Sequence, residues 1–229
     1  MDSFERRVRD LTSEINGQYP RPWMTRLKAV KSAKVFVVGN HFSVPYMANV
    51  VEYERFIDSL FNRNGESCQA FYEEMTSKTP SRSNIEMLSE KLTDAGCNAV
   101  IETNVCCYGI KKAGCLRHPE HHGGEERGIE IFRTLVEEIR PKAIVVYGKG
   151  VCKELSRALE LSSPLPCPPE KKDDFVQEEL ADGTRVFVIP SLGEPAFRNW
   201  PKKPLESFCN WAGEYLDEVA SRVAGACAG

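Results

Sequence analysis

No apolar run in this sequence approaches the ~20 residues that span a bilayer, so a membrane helix is not expected. Internal repeats and low-complexity tracts are missing too, which leaves neither a solenoid nor a disordered array. A charge excess is also lacking. Thirty Lys and Arg face 33 Asp and Glu, a net charge of -3, which argues against a broad electrostatic grip on nucleic acid. A local basic rim around a cleft remains compatible with that balance. The opening residues Met1-Asp2-Ser3-Phe4-Glu5-Arg6-Arg7 carry no apolar signal core, which argues for a cytoplasmic protein. The nine cysteines are odd in number and irregularly spaced, so they read as reduced thiols. Gly148-Lys149-Gly150 lacks the Gly-Lys-Ser/Thr ending of a phosphate loop, which excludes nucleotide hydrolysis of that kind.

What the sequence does have is four short β-branched runs without alternation, each ending on a small or polar residue or at a turn: Lys34–Asn40, Ala99–Val105, Ala143–Gly150 and Arg185–Ser191. Runs of this kind read as parallel strands buried on both faces. Helical stretches separate them, which predicts an α/β protein: a three-layer α/β/α sandwich around a four-stranded parallel sheet. We expect one domain over residues 1–229, with 1–30 as an N-terminal helical extension and 203–229 as a C-terminal helix. A first helix is expected over residues 3 to 16, capped by Ser3, and a second, short one around Trp23, Met24 and Leu27. Further helices are expected over Val50–Phe61, from Pro80 to Gly96, and over Glu125–Arg140, which Pro141 stops. Another should follow Gly150, and the last should run from about Leu205 to Val223. Ala181-Asp182-Gly183-Thr184 reads as a hairpin-like turn before the fourth strand. In open α/β sheets ligands bind at the carboxyl ends of the strands, so Asn40, Asn104, Gly148 and Ser191 should ring one crevice.

Several of these strand ends, taken in order, resemble the motifs of the uracil-DNA glycosylase superfamily. Val37-Val38-Gly39-Asn40 with Phe42 is similar to its first motif: a glycine, a water-positioning polar residue and a base-stacking aromatic. Thr103-Asn104-Val105 resembles the strand whose asparagine reads the base. Arg140-Pro141 through Gly148 resembles its Arg-Pro, apolar run, Gly strand. Val186 through Pro195 resembles its last, Pro-Ser-containing loop, which wedges into DNA. The resemblance covers about residues 33 to 200. It implies a DNA partner and no cofactor, with a base flipped into a pocket for recognition and hydrolysis of its N-glycosidic bond. Under it Asn40 orients the water and Gly39, Phe42 or Tyr46, and Asn104 hold the base. Pro190, Ser191, Leu192, Gly193, Arg198 and Lys202 meet DNA, with Leu192 as the apolar wedge.

The departures are equally specific. Ile189 stands where many members carry a histidine, one that the mismatch-specific branch, with its similar Pro-Ser form, also lacks. Asn40 replaces an aspartate and cannot serve as a general base. Slow catalysis, altered base preference or none is the expectation. A degenerate member that only binds nucleic acid or a nucleobase-like ligand, and an unrelated α/β protein for a small metabolite, are the alternatives. A basic rim of Lys111, Lys112, Arg117, Arg198, Lys202 and Lys203 would favour nucleic acid. Simpler readings stand beside these roles. Gly39, Gly148 and Gly150 can merely permit tight turns, Asn104 can tie down a loop, and Ser191 can form a turn. His118, His121 and His122 with Cys115 fit no standard zinc spacing. Cys106, Cys107, Cys115, Cys152 and Cys167 do not reproduce iron–sulfur spacing, and Cys106 and Cys107 read as buried thiols at the sheet end.

Overall fold

The computed structural model describes residues 1–77, 79–97, 99–111, 113–168, 176–192 and 205–228. Strands in chain order are β1 (Gln18–Tyr19), β2 (Val35–His41), β3 (Tyr46–Met47), β4 (Val100–Cys106), β5 (Ala143–Tyr147), β6 (Val176–Glu179) and β7 (Arg185–Ile189). Helices are α1 (Ser3–Leu11), α2 (Tyr53–Leu60), α3 (Cys68–Met75), α4 (Pro80–Asp94), α5 (Gly124–Ile139), α6 (Lys149–Ala158) and α7 (Leu205–Ala228). No helix among the described residues is long and apolar enough to cross a membrane.

The four β-branched runs do form parallel neighbours, in the order β4-β2-β5-β7. Their alternate residues feed two separate cores. Val35 and Val37, Ala143 and Val145, and Phe187 and Ile189 pack with Leu88 and Leu92 of α4 and Val219 and Val223 of α7. Phe36 and Val38, Ile144 and Val146, and Val186 and Val188 pack on the other face with α1, α2, α5 and α6. Both faces of β2, β5 and β7 are therefore apolar, which is why those runs show no alternation, whereas edge strand β4 alternates between buried and half-buried positions. Each such Val, Ile, Leu or Phe side chain contributes about 1.5–3 kcal/mol by leaving water.

The sheet has five strands rather than four. β6 pairs antiparallel with β7 through the turn at 181–184. Its Val-Gln-Glu-Glu sequence is mostly exposed and carries no apolar run, so only the turn announced it. The short helix expected around Trp23–Leu27 is absent. Met24 instead bridges to Glu102, and Trp23 stacks on Phe4 with ring centroids 6.1 Å apart. Residues 1–30 thus belong to the main core through Phe4, Val8, Leu11 and Trp23 rather than extending from it. Asp2, not Ser3, caps α1 by accepting from the Glu5 amide at 2.8 Å, and the helix stops at Leu11. Gly148 adopts φ +93 between β5 and α6, the tight strand-to-helix turn expected of it.

Candidate functional site

The chain runs from β2 to β4 on one side and then crosses to β5 on the other, so strand order reverses between β2 and β5. A crevice opens outside the carboxyl ends of the strands at such a reversal. Here it is a cavity of about 320 Å³, within the range of small-ligand pockets. Asn40, Phe42, Asn104, Ser191 and Leu192 all line it.

Register explains the convergence. Gly39 lies opposite Asn104 and Val38 opposite Val146, so Asn104, Gly39 and Tyr147 stand in one row across three strands. A Cβ on Gly39 would collide with Tyr147 Oη and Asn104 Oδ1, so the glycine is required by close approach. The strand-end row puts the Asn104 carboxamide at the cavity wall, where it makes no hydrogen bond to the described residues. Asn104 therefore does not tie down a loop through its side chain. The Asn40 carboxamide is equally free. Each amide offers both a donor and an acceptor.

Three expected residues sit differently. Tyr46 is buried away from the cavity, packed edge-on against Phe56 and Phe71 with centroids 5.5 Å away in each case. Burial pushes its phenol above the ordinary range, with Arg21 pulling the other way. It is a core residue, and Phe42 is the aromatic that reaches the cavity. Leu192 is only 1% exposed, and its carbonyl accepts from Asn84 Nδ2 at 3.0 Å. A side chain already packed in the core forms wall and cannot protrude as a wedge. Pro190 directly follows β7 and is not part of the lining. Gly193, Arg198, Lys202, Lys203 and Lys112 lie outside the described residues.

Five groups in the cavity, Arg82, Glu102, Arg21, Tyr72 and His41, escaped the sequence reading. Arg82 on α4 grips Glu102 through two hydrogen bonds, one of 3.0 Å, while Ser89 Oγ adds a third to that carboxylate at 2.8 Å. Burial would lower the Arg82 pKa, but Glu102 and Glu86 together hold it raised. This pair partitions the cavity from a second one of about 400 Å³ along α4 and β4. The latter is further from the strand ends, so we place the site in the former. Arg21 lies over the Phe42 ring at 4.2 Å and over Tyr72 at 4.6 Å. His41, directly after Asn40, has a buried Nδ1 with no hydrogen-bond partner, and burial lowers its pKa. Its position beside the strand-end asparagine was the available signal.

His41 and Asn40 also face a neighbouring cavity of about 340 Å³, lined by Arg117, Lys153 and Arg157. Arg157 is paired with Glu125 and Glu154. Cys106 and Cys107 are buried thiols at the end of β4, pushed up by burial to about 11 and about 12. In the loop beyond, His121 bonds Tyr108 Oη at 3.0 Å, and the described residues contain no cluster of three or more potential metal ligands.

Chemically, the arrangement can hold a planar, polar ring: two free amides to read its edge, with aromatic and guanidinium groups beside it. The one carboxylate in the lining, Glu102, is fully engaged. The neutral imidazole of His41 is the available proton acceptor. Comparison with profiles of known protein families and with curated proteins finds no match for this chain.

Proposed function

We propose that this cavity receives an extruded nucleobase, of the uracil type or mismatched, in the manner that resemblance to the uracil-DNA glycosylase superfamily implies. One observation carries the reading. Asn40 and Asn104, on different strands and far apart in sequence, present unpaired carboxamides to the same cavity as Phe42. Unpaired amides at a cavity wall are costly unless a ligand or water satisfies them, and an asparagine matches the N3–H and O4 edge of uracil.

Hydrolysis would proceed slowly. Water, oriented by Asn40, attacks C1′ as the C1′–N bond breaks and its electron pair leaves with the base. The His41 imidazole accepts the water proton, and Asn104 steadies the charge on the departing base. A general base of this kind contributes about 10²–10⁴-fold. Among the described lining residues no free carboxylate assists, which favours a second reading: base binding without turnover.

An abasic-site assay tests both. Single- and double-stranded oligonucleotides carrying uracil, hypoxanthine or a mismatch are incubated with the protein and then with alkali. Strand breaks that vanish in Asn40→Ala and Asn104→Ala support the enzyme. Base-dependent binding without breaks supports the second reading. Neither binding nor breaks at low salt removes both.

A further inference from the structure

We propose that Arg21 is an oxyanion receptor built into the cavity, and that the ligand is a base carrying a phosphate: a nucleotide rather than a free base or nucleoside. The inference rests on the proposed base site for the identity of the ring, but not for the anion.

Arg21 sits between two prolines, Pro20 and Pro22, and its backbone is pinned on both sides. Its N–H donates to the Cys107 carbonyl at 2.9 Å, and the Pro22 carbonyl accepts from Thr103 Oγ1 at 2.6 Å. The guanidinium is therefore delivered to a fixed place beside the end of β4. There it lies over three rings, Phe42 at 4.2 Å, Tyr72 at 4.6 Å and Tyr46 at 5.2 Å. Cation–π contact engages the face of a guanidinium rather than its in-plane N–H donors. Its Nη1 is indeed buried with no hydrogen-bond partner, and no carboxylate among the described residues pairs with Arg21. A buried, charged donor without a partner is a standing cost that an incoming anion would remove.

Charge in the cavity points the same way. Arg82 is held by both Glu102 and Glu86, and burial keeps His41 toward its neutral form. Arg21 is the charged side chain of the described lining with no ion-pair partner, and it is positive. A planar fork with free N–H groups suits a phosphate or carboxylate oxygen pair. Because a guanidinium already covers Phe42 on one side, a ring in the cavity meets Arg21 together with that aromatic. The anion is then close to the ring, as in a nucleotide.

The test is binding, read by calorimetry, of inorganic phosphate, uridine, uridine 5′-monophosphate and a short uracil-containing single strand. Wild type, Arg21→Gln and Arg21→Lys are compared after matched melting profiles establish that each is folded. Wild type should bind the monophosphate about 10–100-fold more tightly than uridine, the worth of one hydrogen bond to a charged group. Arg21→Gln should abolish that ratio and the binding of inorganic phosphate, the ratio being read within each variant so that any change in uridine affinity cancels. Arg21→Lys should retain part of it, since charge survives and the fork does not. An equal loss on the oligonucleotide places the anion in the strand backbone; a loss confined to the monophosphate places it on a free nucleotide. Equal wild-type affinity for uridine and its monophosphate, or a ratio untouched by Arg21→Gln, overturns the proposal. Arg21-dependent phosphate binding with no uridine binding would instead overturn the base site and keep the receptor.

Discussion

Gly39→Ala is the sharpest probe of how the site is built. The added methyl would meet two polar atoms at once, Tyr147 Oη and Asn104 Oδ1, each from a strand hydrogen-bonded to β2. The backbone cannot retreat, because ladders on both sides fix its position. One or both side chains must turn instead, and overpacking of this kind costs about 1–3 kcal/mol. Urea unfolding followed by tryptophan fluorescence reads that loss directly. Tyr147→Phe in the Gly39→Ala background removes one of the two colliding atoms and should recover a substantial part of the stability. It should not restore ligand affinity, since Asn104 stays displaced; loss of its hydrogen bond is worth about tenfold. If Gly39→Ala unfolds at the wild-type urea midpoint and Tyr147→Phe brings no recovery, the row of Asn104, Gly39 and Tyr147 is not packed as described.

Glu102→Ala leaves the guanidinium of Arg82 largely buried beside Glu86 alone, so it should cost about 3–5 kcal/mol, whereas a double Arg82→Met, Glu102→Leu variant should recover much of it; thermal melts decide. His41 is held below its ordinary pKa of 6.5, so the folded state resists protonating it. Its contribution to stability is full above about pH 6.5 and declines as pH falls toward the depressed native value, and His41→Gln should flatten that part of a stability–pH curve. Iodoacetamide at pH 8 should label exposed Cys167 in the native protein while Cys68, Cys106 and Cys107 stay unmodified, as peptide mapping would show; early labelling of Cys107 would contradict its burial.

The strands were legible because burial on both faces writes itself as an uninterrupted apolar run, as in Val35 to Val38. β6 was not, since its Gln177, Glu178 and Glu179 face water and resemble a loop. Trp23 and Met24 misled for the opposite reason: their apolar character serves packing against Phe4 and a bridge to Glu102, not a helical face. Asn40, Phe42 and Asn104 could be placed at the site because strand ends locate a crevice without coordinates. Arg21, Tyr72 and Arg82 could not, because they arrive from the chain before β2 and from α3 and α4. Their meeting depends on tertiary packing that no local spacing encodes. Leu192 shows the complementary failure: a position after β7 fixes where a residue is, but not whether its side chain turns outward.

The bridge between Met24 and Glu102 has a colloidal consequence. It occupies the N–H and C=O of Glu102 on the outer side of β4, with hydrogen bonds of 2.7 and 2.9 Å, so the row of donors and acceptors there is interrupted for another strand. On the opposite flank, β6 exposes the carboxylates of Glu178 and Glu179, whose mutual repulsion discourages two copies from aligning strand to strand. A sheet guarded at both margins resists growing into an intermolecular one, and concentrated solutions should stay free of fibrillar self-association as long as residues 21–24 remain docked.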